Sequence, residues 1–352
     1  YSQIKKGLIK FKLDTEFNPI EDKIDSYIIS GNIKDAKFNL VGNSSLNNIN
    51  FNFKAKDKLT KISNLNFRYQ DLNLLSKSIE IKNERSGIYY INGDIENDKA
   101  LINPNIIFKL VNIKQDILSK ADISLKSKNL FSFSLKKYKL KNLKIDSVIN
   151  FDEVYFSNKY QNLVFLKEGT INSKYENNQF NADLVSNFAF SDNLKLNNDY
   201  KNNNLEINLK GKKNQNIKIN GNISNKKIFV DPKIFLNLFK LDPNLLSEGN
   251  VNIETDNKFT FEIQNSKLKN YLINSTIDLD KLQLNKKIQD ILYLKNIKTK
   301  LTFGEKLLKL DLKSNYSLFD NNGDSDNNII NLKLNKSDPK ISDVEILLKG
   351  KN

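Results

Sequence analysis

Apolar and polar residues alternate along most of the chain. Near the amino terminus, Ile9, Phe11 and Leu13 are separated by lysines. Successive side chains of a β-strand point to opposite faces, so this period of two predicts a strand with one buried face. The same period recurs about two dozen times, and its densest apolar positions are Phe51, Phe53, Phe67, Phe131, Phe133, Leu135, Ile207, Phe259, Phe261 and Ile263.

Clusters rich in asparagine, aspartate and glycine separate these runs, for example at 42–44, 176–178, 202–204 and 321–324. Asn and Asp tolerate left-handed backbone conformations and hydrogen-bond to their own backbone, so the clusters indicate hairpin turns. A parallel sheet would need crossover helices at regular intervals, and their periodicity is not found. The sequence therefore predicts an all-β fold, a long antiparallel meander.

Two segments have helical spacing instead. Asp231 and Pro232 form an N-cap and first-turn signal before apolar residues that continue to Phe239, and Pro243 follows the segment. A weaker candidate is 286–295. We expect one or two short helices here, which cap an open sheet.

The strand rhythm is interrupted over 231–247, so we expect this segment to connect two parts of one sheet, 1–230 and 248–352. A phrase centred on glycine also recurs, and its spacings of 62, 128 and 28 residues indicate a degenerate motif rather than a repeat of fixed period. A glycine inside a strand marks a bulge or a close backbone approach. The four glycines are Gly31, Gly93, Gly221 and Gly249.

The composition excludes several classes of function. The net charge is +15, yet only two of the 56 basic residues are arginine, the residue that phosphate and base recognition favours. We therefore expect no nucleic-acid partner and assign the lysines to weak attraction by anionic membrane surfaces. The chain has no Cys and no His, which removes thiol nucleophiles, thiolate metal sites and the commonest general base. The absence of Cys also fits an oxidising compartment.

Carboxylates offer few catalytic arrangements. Glu21-Asp22 and Asp152-Glu153 are adjacent pairs, and neighbours on a strand point to opposite faces. The acidic loop 320–326 has oxygen ligands but lacks the full calcium-loop pattern. No phosphate-binding or nucleophile motif is present, so we predict a protein that is not an enzyme and has no small-molecule cofactor.

The apolar face of such a sheet must be covered, because monomers rarely expose large contiguous apolar surfaces. It can pack against a second sheet as a β-sandwich, close into a barrel, or curl into an open groove that receives apolar ligands. An outer-membrane barrel would need aromatic girdles, and Trp is absent. A groove and a sandwich remain the main alternatives.

The phrases at 90–97 and 219–225, set among alternating strands, resemble the AsmA-like superfamily, which includes TamB-like envelope proteins. The resemblance implies a repeating, taco-like β-groove in the periplasm of diderm bacteria that conducts phospholipid acyl chains between the inner and outer membranes, or works with proteins of those membranes. It also implies a membrane anchor. The chain has no Met and begins at Tyr1, so we expect a piece of a longer protein whose anchor lies elsewhere.

On this interpretation the ten densest apolar positions named above line the groove. Two other functions stay open. One is a structural or adhesive surface β-protein whose apolar face is simply its core. The other is a polysaccharide-active enzyme, which would need two carboxylates converging on one concave face.

Overall fold

The computed structural model describes residues 3–39, 45–70, 72–84, 87–103, 123–137, 139–155, 164–190, 199–212, 217–230, 251–264, 267–282, 292–318, 328–337 and 340–350. The predicted helix at 231–247 and the acidic loop 320–326 lie outside these residues. So does the first part of the second helix candidate. Its last residues, 292–295, belong to a β-strand, so the helical prediction is wrong there.

The described residues form eighteen strands and one 3-10 turn, Asp199–Asn202. The first nine strands are β1 Gln3–Asn18, β2 Lys23–Asn39, β3 Ser45–Lys56, β4 Leu59–Tyr69, β5 Leu72–Glu84, β6 Ile88–Ile102, β7 Ile123–Lys136, β8 Lys139–Tyr155 and β9 Val164–Glu176. The other nine are β10 Gln179–Phe190, β11 Asn203–Lys212, β12 Ile217–Val230, β13 Val251–Gln264, β14 Lys267–Leu282, β15 Leu292–Gly304, β16 Leu307–Leu318, β17 Ile329–Ser337 and β18 Lys340–Lys349.

Two compact units divide the chain. The first comprises 1–114, 120–152 and 170–181, and the second comprises 115–119, 153–169 and 182–352. In the first unit, β1 to β8 pair in chain order, each antiparallel to the next. In the second, β11 to β18 do the same. The all-β antiparallel meander is therefore confirmed.

The described strands are longer than the alternation suggests, because bulges join adjacent runs. Asn64 has φ 51° inside β4, and the pairing with β3 shifts by one residue there. Asn142 in β8 and Asn270 in β14 have φ 53° and 51° and lie at similar shifts. A left-handed residue of this kind adds one position without ending the ladder. The alternation therefore changes phase within one strand, which looks like two strands in the sequence.

The predicted turns have mixed outcomes. Asn177 and Asn178, with φ 53° and 63°, form the tight β9–β10 hairpin, as expected. The cluster at 202–204 is not a hairpin turn, because Asn202 ends the 3-10 turn and β11 begins at Asn203. Asn203 is 2% exposed, so its side chain is buried and hydrogen-bonded and does not belong to a solvent-exposed turn.

Buried apolar residues lie at one end of the strands. In the first unit they flank the connections from even-numbered to odd-numbered strands, as at Tyr69 and Leu72, or Ile102 and Ile123. In the second unit the cluster of Leu294, Ile297 and Tyr316 is the corresponding core. The opposite strand ends carry short hairpins such as β3–β4 and β7–β8, where the flanking side chains are exposed. Each unit thus has a buried margin and an exposed margin.

Part of the chain is duplicated. Residues of β6 to β8 have counterparts 128 positions later in β12 to β14, with the same residue or a close substitute and the same backbone role. The glycine spacing of 128 therefore reflects a true structural repeat, although the sequence indicated none of fixed period. The matched pairs include Gly93 and Gly221, Asn97 and Asn225, Asn129 and Asn257, Phe131 and Phe259, Phe133 and Phe261, and Asn142 and Asn270.

Candidate functional site

One face of the first unit has an apolar row that crosses eight strands without a break. Residues directly opposite each other in neighbouring strands point to the same face, so the register defines the row. From β1 to β8 it consists of Phe11, Gly31, Phe53, Ile62, Ile79, Gly93, Phe131 and Ile145. We call the surface that contains it the apolar face.

The opposite face of the same unit is polar. One row on that face also crosses eight strands, and every member is charged, an amide or a hydroxyl. It consists of Lys12, Ser30, Lys54, Lys61, Glu80, Asn92, Ser132 and Lys144. The contrast between the two rows shows that the sheet is amphipathic along its whole width in this unit.

The second unit repeats the pattern. Its apolar row runs from β11 to β16 through Ile207, Gly221, Phe259, Ile273, Phe303 and Leu308. A row on its other face runs from β13 to β18 and alternates charges and one hydroxyl: Asp256, Thr276, Lys300, Asp311, Lys333 and Glu345. Lys333 and Glu345 form an ion pair, with Nζ 3.6 Å from Oε2.

The structure places all ten predicted lining residues on these apolar faces. Phe51 and Phe53 share a face with Phe67, which lies opposite Leu74. Phe131, Phe133 and Leu135 lie on the same face of the first unit, and Ile207, Phe259, Phe261 and Ile263 lie on that of the second. All ten side chains are half-buried, which leaves part of each accessible to a ligand.

The phenylalanines occur as pairs on alternate residues, with their rings in contact. Phe131 and Phe133 are stacked, with centroids 6.0 Å apart and planes at 26°. The duplicated pair, Phe259 and Phe261, has nearly the same geometry at 5.8 Å and 21°. Such aromatic contacts stabilise the position of each ring. Each pair presents a fixed apolar surface rather than two mobile side chains.

Glycine allows these rings to lie close to the neighbouring strand. A Cβ added at Gly221 would overlap the ring of Phe259, and one at Gly93 would lie 3.0 Å from Cζ of Phe131. The expected close approach at these glycines is confirmed: each lies between an aromatic ring on the next strand and a backbone carbonyl on the preceding strand, that of Ser78 at Gly93 and that of Glu206 at Gly221. Gly249 lies outside the described residues.

Within each unit, the described residues place no second layer over the apolar face. Among the described strands, extensive contacts join only those that are neighbours in the chain. A sandwich would add contacts between strands of facing sheets. The described strands of one unit therefore do not pack face to face, and the sandwich alternative is wrong within each unit.

A polar network on the apolar face was not predicted. Asn97 donates from Nδ2 to the carbonyl of Leu125 at 3.1 Å and accepts from Ser127 Oγ at 2.5 Å. Asn129 donates to the carbonyl of Ile95 at 3.0 Å. These bonds lie beside the β6–β7 bulge, where the strand ladder is interrupted and its carbonyls need other donors.

The duplicated network in the second unit has the same connections. Asn225 donates to Ile253 O at 2.8 Å and accepts from Thr255 Oγ1 at 2.6 Å. Asn257 donates to Ile223 O at 3.0 Å. The sequence contains a signal for it, because Asn recurs two residues before the first Phe of both pairs. By the period of two alone, such an Asn is only an interruption of the apolar face.

The carboxylate pair Asp152-Glu153 has local partners. Asp152 is held by Lys99, with Nζ 2.5 Å from Oδ2, and this hydrogen bond and charge lower the pKa of the carboxyl. Glu153 accepts from Tyr155 OH at 2.5 Å and from Lys167 Nζ at 3.0 Å. The hydrogen bond to Glu153, helped by burial, raises the pKa of Tyr155 to about 12.

Two further features are absent from the described residues as a whole. No group of three or more acidic side chains could hold a metal ion there. The same residues contain no helix with the length and hydropathy needed to cross a bilayer.

Comparisons with known proteins identify no relative. No family model, curated protein or solved structure matches the chain. The resemblance to the AsmA-like superfamily therefore stays a prediction.

Proposed function

We propose that this chain is a non-enzymatic envelope module that binds phospholipid acyl chains on its apolar face and conducts them between the inner and outer membranes. The observation that carries the proposal is the unbroken, half-exposed apolar row across eight strands, backed by an entirely polar row on the other face. The periplasmic location and the direction between membranes rest on the family resemblance alone.

The dimensions of the row suit a hydrocarbon chain. Strands are ~4.8 Å apart, so eight strands span about 34 Å. One leaflet of a bilayer contributes about half of a ~30 Å hydrocarbon core. A single acyl chain therefore fits within the row of one unit, lying across the strands.

The chemistry of the row suits an unspecific apolar ligand. Each methylene transferred from water contributes ~0.8 kcal/mol, so about ten methylenes contribute about 8 kcal/mol before the cost of ordering the chain. No hydrogen-bonding group is needed for this gain. A surface that binds through area alone also allows a chain to move along it, because successive positions are chemically alike.

Paired substitutions on the two faces of β7 and of β13 test the proposal. Phe133→Asp and Phe261→Asp place a charge on the apolar face, whereas Ser132→Asp and Thr260→Asp place the same charge one residue away on the polar face. We expect the first pair to lower binding of a fluorescent phospholipid at least about tenfold, since an unpaired charge against hydrocarbon is costly. The second pair should leave binding unchanged.

Two further readouts make the test decisive. Far-UV circular dichroism checks that all four variants keep their β-structure. A photo-reactive residue at position 133 should crosslink to phospholipid, and one at position 132 should not. Equal binding by both pairs of variants, or no phospholipid in organic extracts of the purified protein, would reject the proposal.

A further inference from the structure

Lysines are concentrated on one part of the exposed margin of the first unit, at the hairpins between β3 and β8. Two neighbouring cross-strand rows run along this margin. One consists of Lys82, Tyr90, Ser134 and Lys141, and the other consists of Tyr89, Leu135 and Leu140. We call the lysines of this margin the basic rim. Its members are Lys56, Lys58, Lys82, Lys136, Lys137, Lys139 and Lys141.

The basic rim differs from the polar face in its ion pairing. On the polar face lysines are matched across strands, as in Lys61 with Glu80 at 2.7 Å and Lys77 with Glu96 at 3.4 Å. Within the described residues, no lysine of the basic rim lies within 4.0 Å of a carboxylate. Between β3 and β8 this margin has two acids, Asp57 and Glu84, against the seven lysines, so positive charge is in excess there, whereas the β1–β2 turn of the same unit carries Glu21 and Asp22.

Apolar side chains are exposed among these lysines. Leu140 is 53% exposed, and Tyr89 and Tyr90 are 43% and 41% exposed. They stand next to the β7–β8 hairpin, which contributes Lys136, Lys139 and the left-handed Lys137. Protein surfaces that insert at the headgroup level of a bilayer combine tyrosine and leucine with lysine in this way.

From this margin we infer that the basic rim docks on an anionic lipid bilayer. Lysines attract the negative surface, and Leu140 with the two tyrosines enters the interface. A nucleic-acid partner fits less well, because phosphate and base recognition favours arginine and makes no use of an exposed leucine. The inference goes beyond acyl-chain binding and does not depend on it, since it concerns the lysines and exposed apolar side chains of one margin and not the apolar row that crosses the strands.

Vesicle binding by the whole chain tests the inference. The probes are vesicles of phosphatidylcholine alone and vesicles containing about one third phosphatidylglycerol. The rim variant carries Lys136→Gln, Lys137→Asn, Lys139→Gln and Lys141→Gln, with Asn at 137 because it tolerates positive φ. The control variant removes the same charge from the polar face of the second unit, through Lys298→Gln, Lys300→Gln, Lys309→Gln and Lys313→Gln.

We expect the unmodified chain and the control variant to bind anionic vesicles within about twofold of each other. The rim variant should bind at least about tenfold more weakly, because each lysine near the surface contributes severalfold to partitioning. Raising salt from about 0.1 M to about 0.5 M should remove most of the difference. Leu140→Ser should weaken the binding that persists at high salt.

Several outcomes would overturn the inference. Equal losses in the rim and control variants would show that net charge alone acts. Equal binding to neutral and anionic vesicles would remove the role of the lysines. Tight binding to DNA without vesicle binding would identify a different partner. Failure of acyl-chain binding in Phe133→Asp leaves vesicle docking intact, so the two proposals fail separately.

Discussion

The duplicated asparagine network allows one interaction to be measured twice in the same chain. Asn225→Ala removes the donor to the Ile253 carbonyl, at 2.8 Å, and the acceptor of the Thr255 hydroxyl, at 2.6 Å. Asn225 is 6% exposed, so water cannot fully replace the lost partners. An unsatisfied buried polar group costs about 1 to 3 kcal/mol.

We therefore expect Asn225→Ala to lower the free energy of unfolding by about 2 to 4 kcal/mol. Asn97→Ala removes the equivalent bonds to Leu125 and Ser127, so its effect should agree within about 1 kcal/mol. Asn204 is the matched control, because it is exposed on the polar face opposite Ser224, and Asn204→Ala should change stability by less than about 0.5 kcal/mol.

Urea unfolding followed by far-UV circular dichroism measures these differences, and it suits a chain without Trp. Asn97 and Asn225 belong to different units, so two separate transitions would each respond to one substitution. A loss below about 0.5 kcal/mol for both, or an equal loss for Asn204→Ala, would refute the argument that these amides close the bulges.

Two further results are expected. Gly221→Val should destabilise the second unit by about 1 to 3 kcal/mol, because the valine side chain would overlap the Phe259 ring. Phe259→Ala in the same chain should recover part of that loss. If urea unfolding showed that the two substitutions have additive effects on stability, the contact would be contradicted. Tyr155 should ionise near pH 12, and Glu153→Gln should return its pKa toward the usual range of about 10, followed by ultraviolet difference spectra. The raised pKa means that this hydrogen bond stabilises the fold fully below about pH 10 and is lost as pH rises towards 12, so an unchanged titration in Glu153→Gln would contradict it.

The sequence was sufficient to predict the fold class and the composition of the two faces. Alternation determines which residues share a face, and Phe131, Phe133 and Leu135 obey it because β7 is regular over that stretch. The number of strands could not be predicted, because a single left-handed residue such as Asn64 continues a strand while shifting its phase. Cross-strand register depends on such residues in both partners, and periodicity within one strand does not contain that information.

Alternation predicted that the ten apolar positions share a face of their strands, and it did not predict how they are organised into rows; that they line a groove stays a prediction. Alternation identified Phe53 and Phe131 as apolar positions. Their membership of one row depends on the register between strands, in which Phe53 lies opposite Gly31 and Phe131 lies opposite Gly93. The asparagine networks were missed because their bonding depends on bulges that only the paired strands reveal. The helix predicted over 286–295 failed at Leu292 onward, where pairing with β14 outweighs the helical spacing.

The chain-order pairing of the strands has a consequence for how the protein forms. In each unit every described ladder joins a strand to its immediate successor, so no segment must wait for a distant one before it can pair. Local connectivity of this kind favours rapid assembly, and structure can grow from one hairpin outward. A chain that emerges gradually from its amino terminus can therefore pair each new strand with the strand that formed just before it.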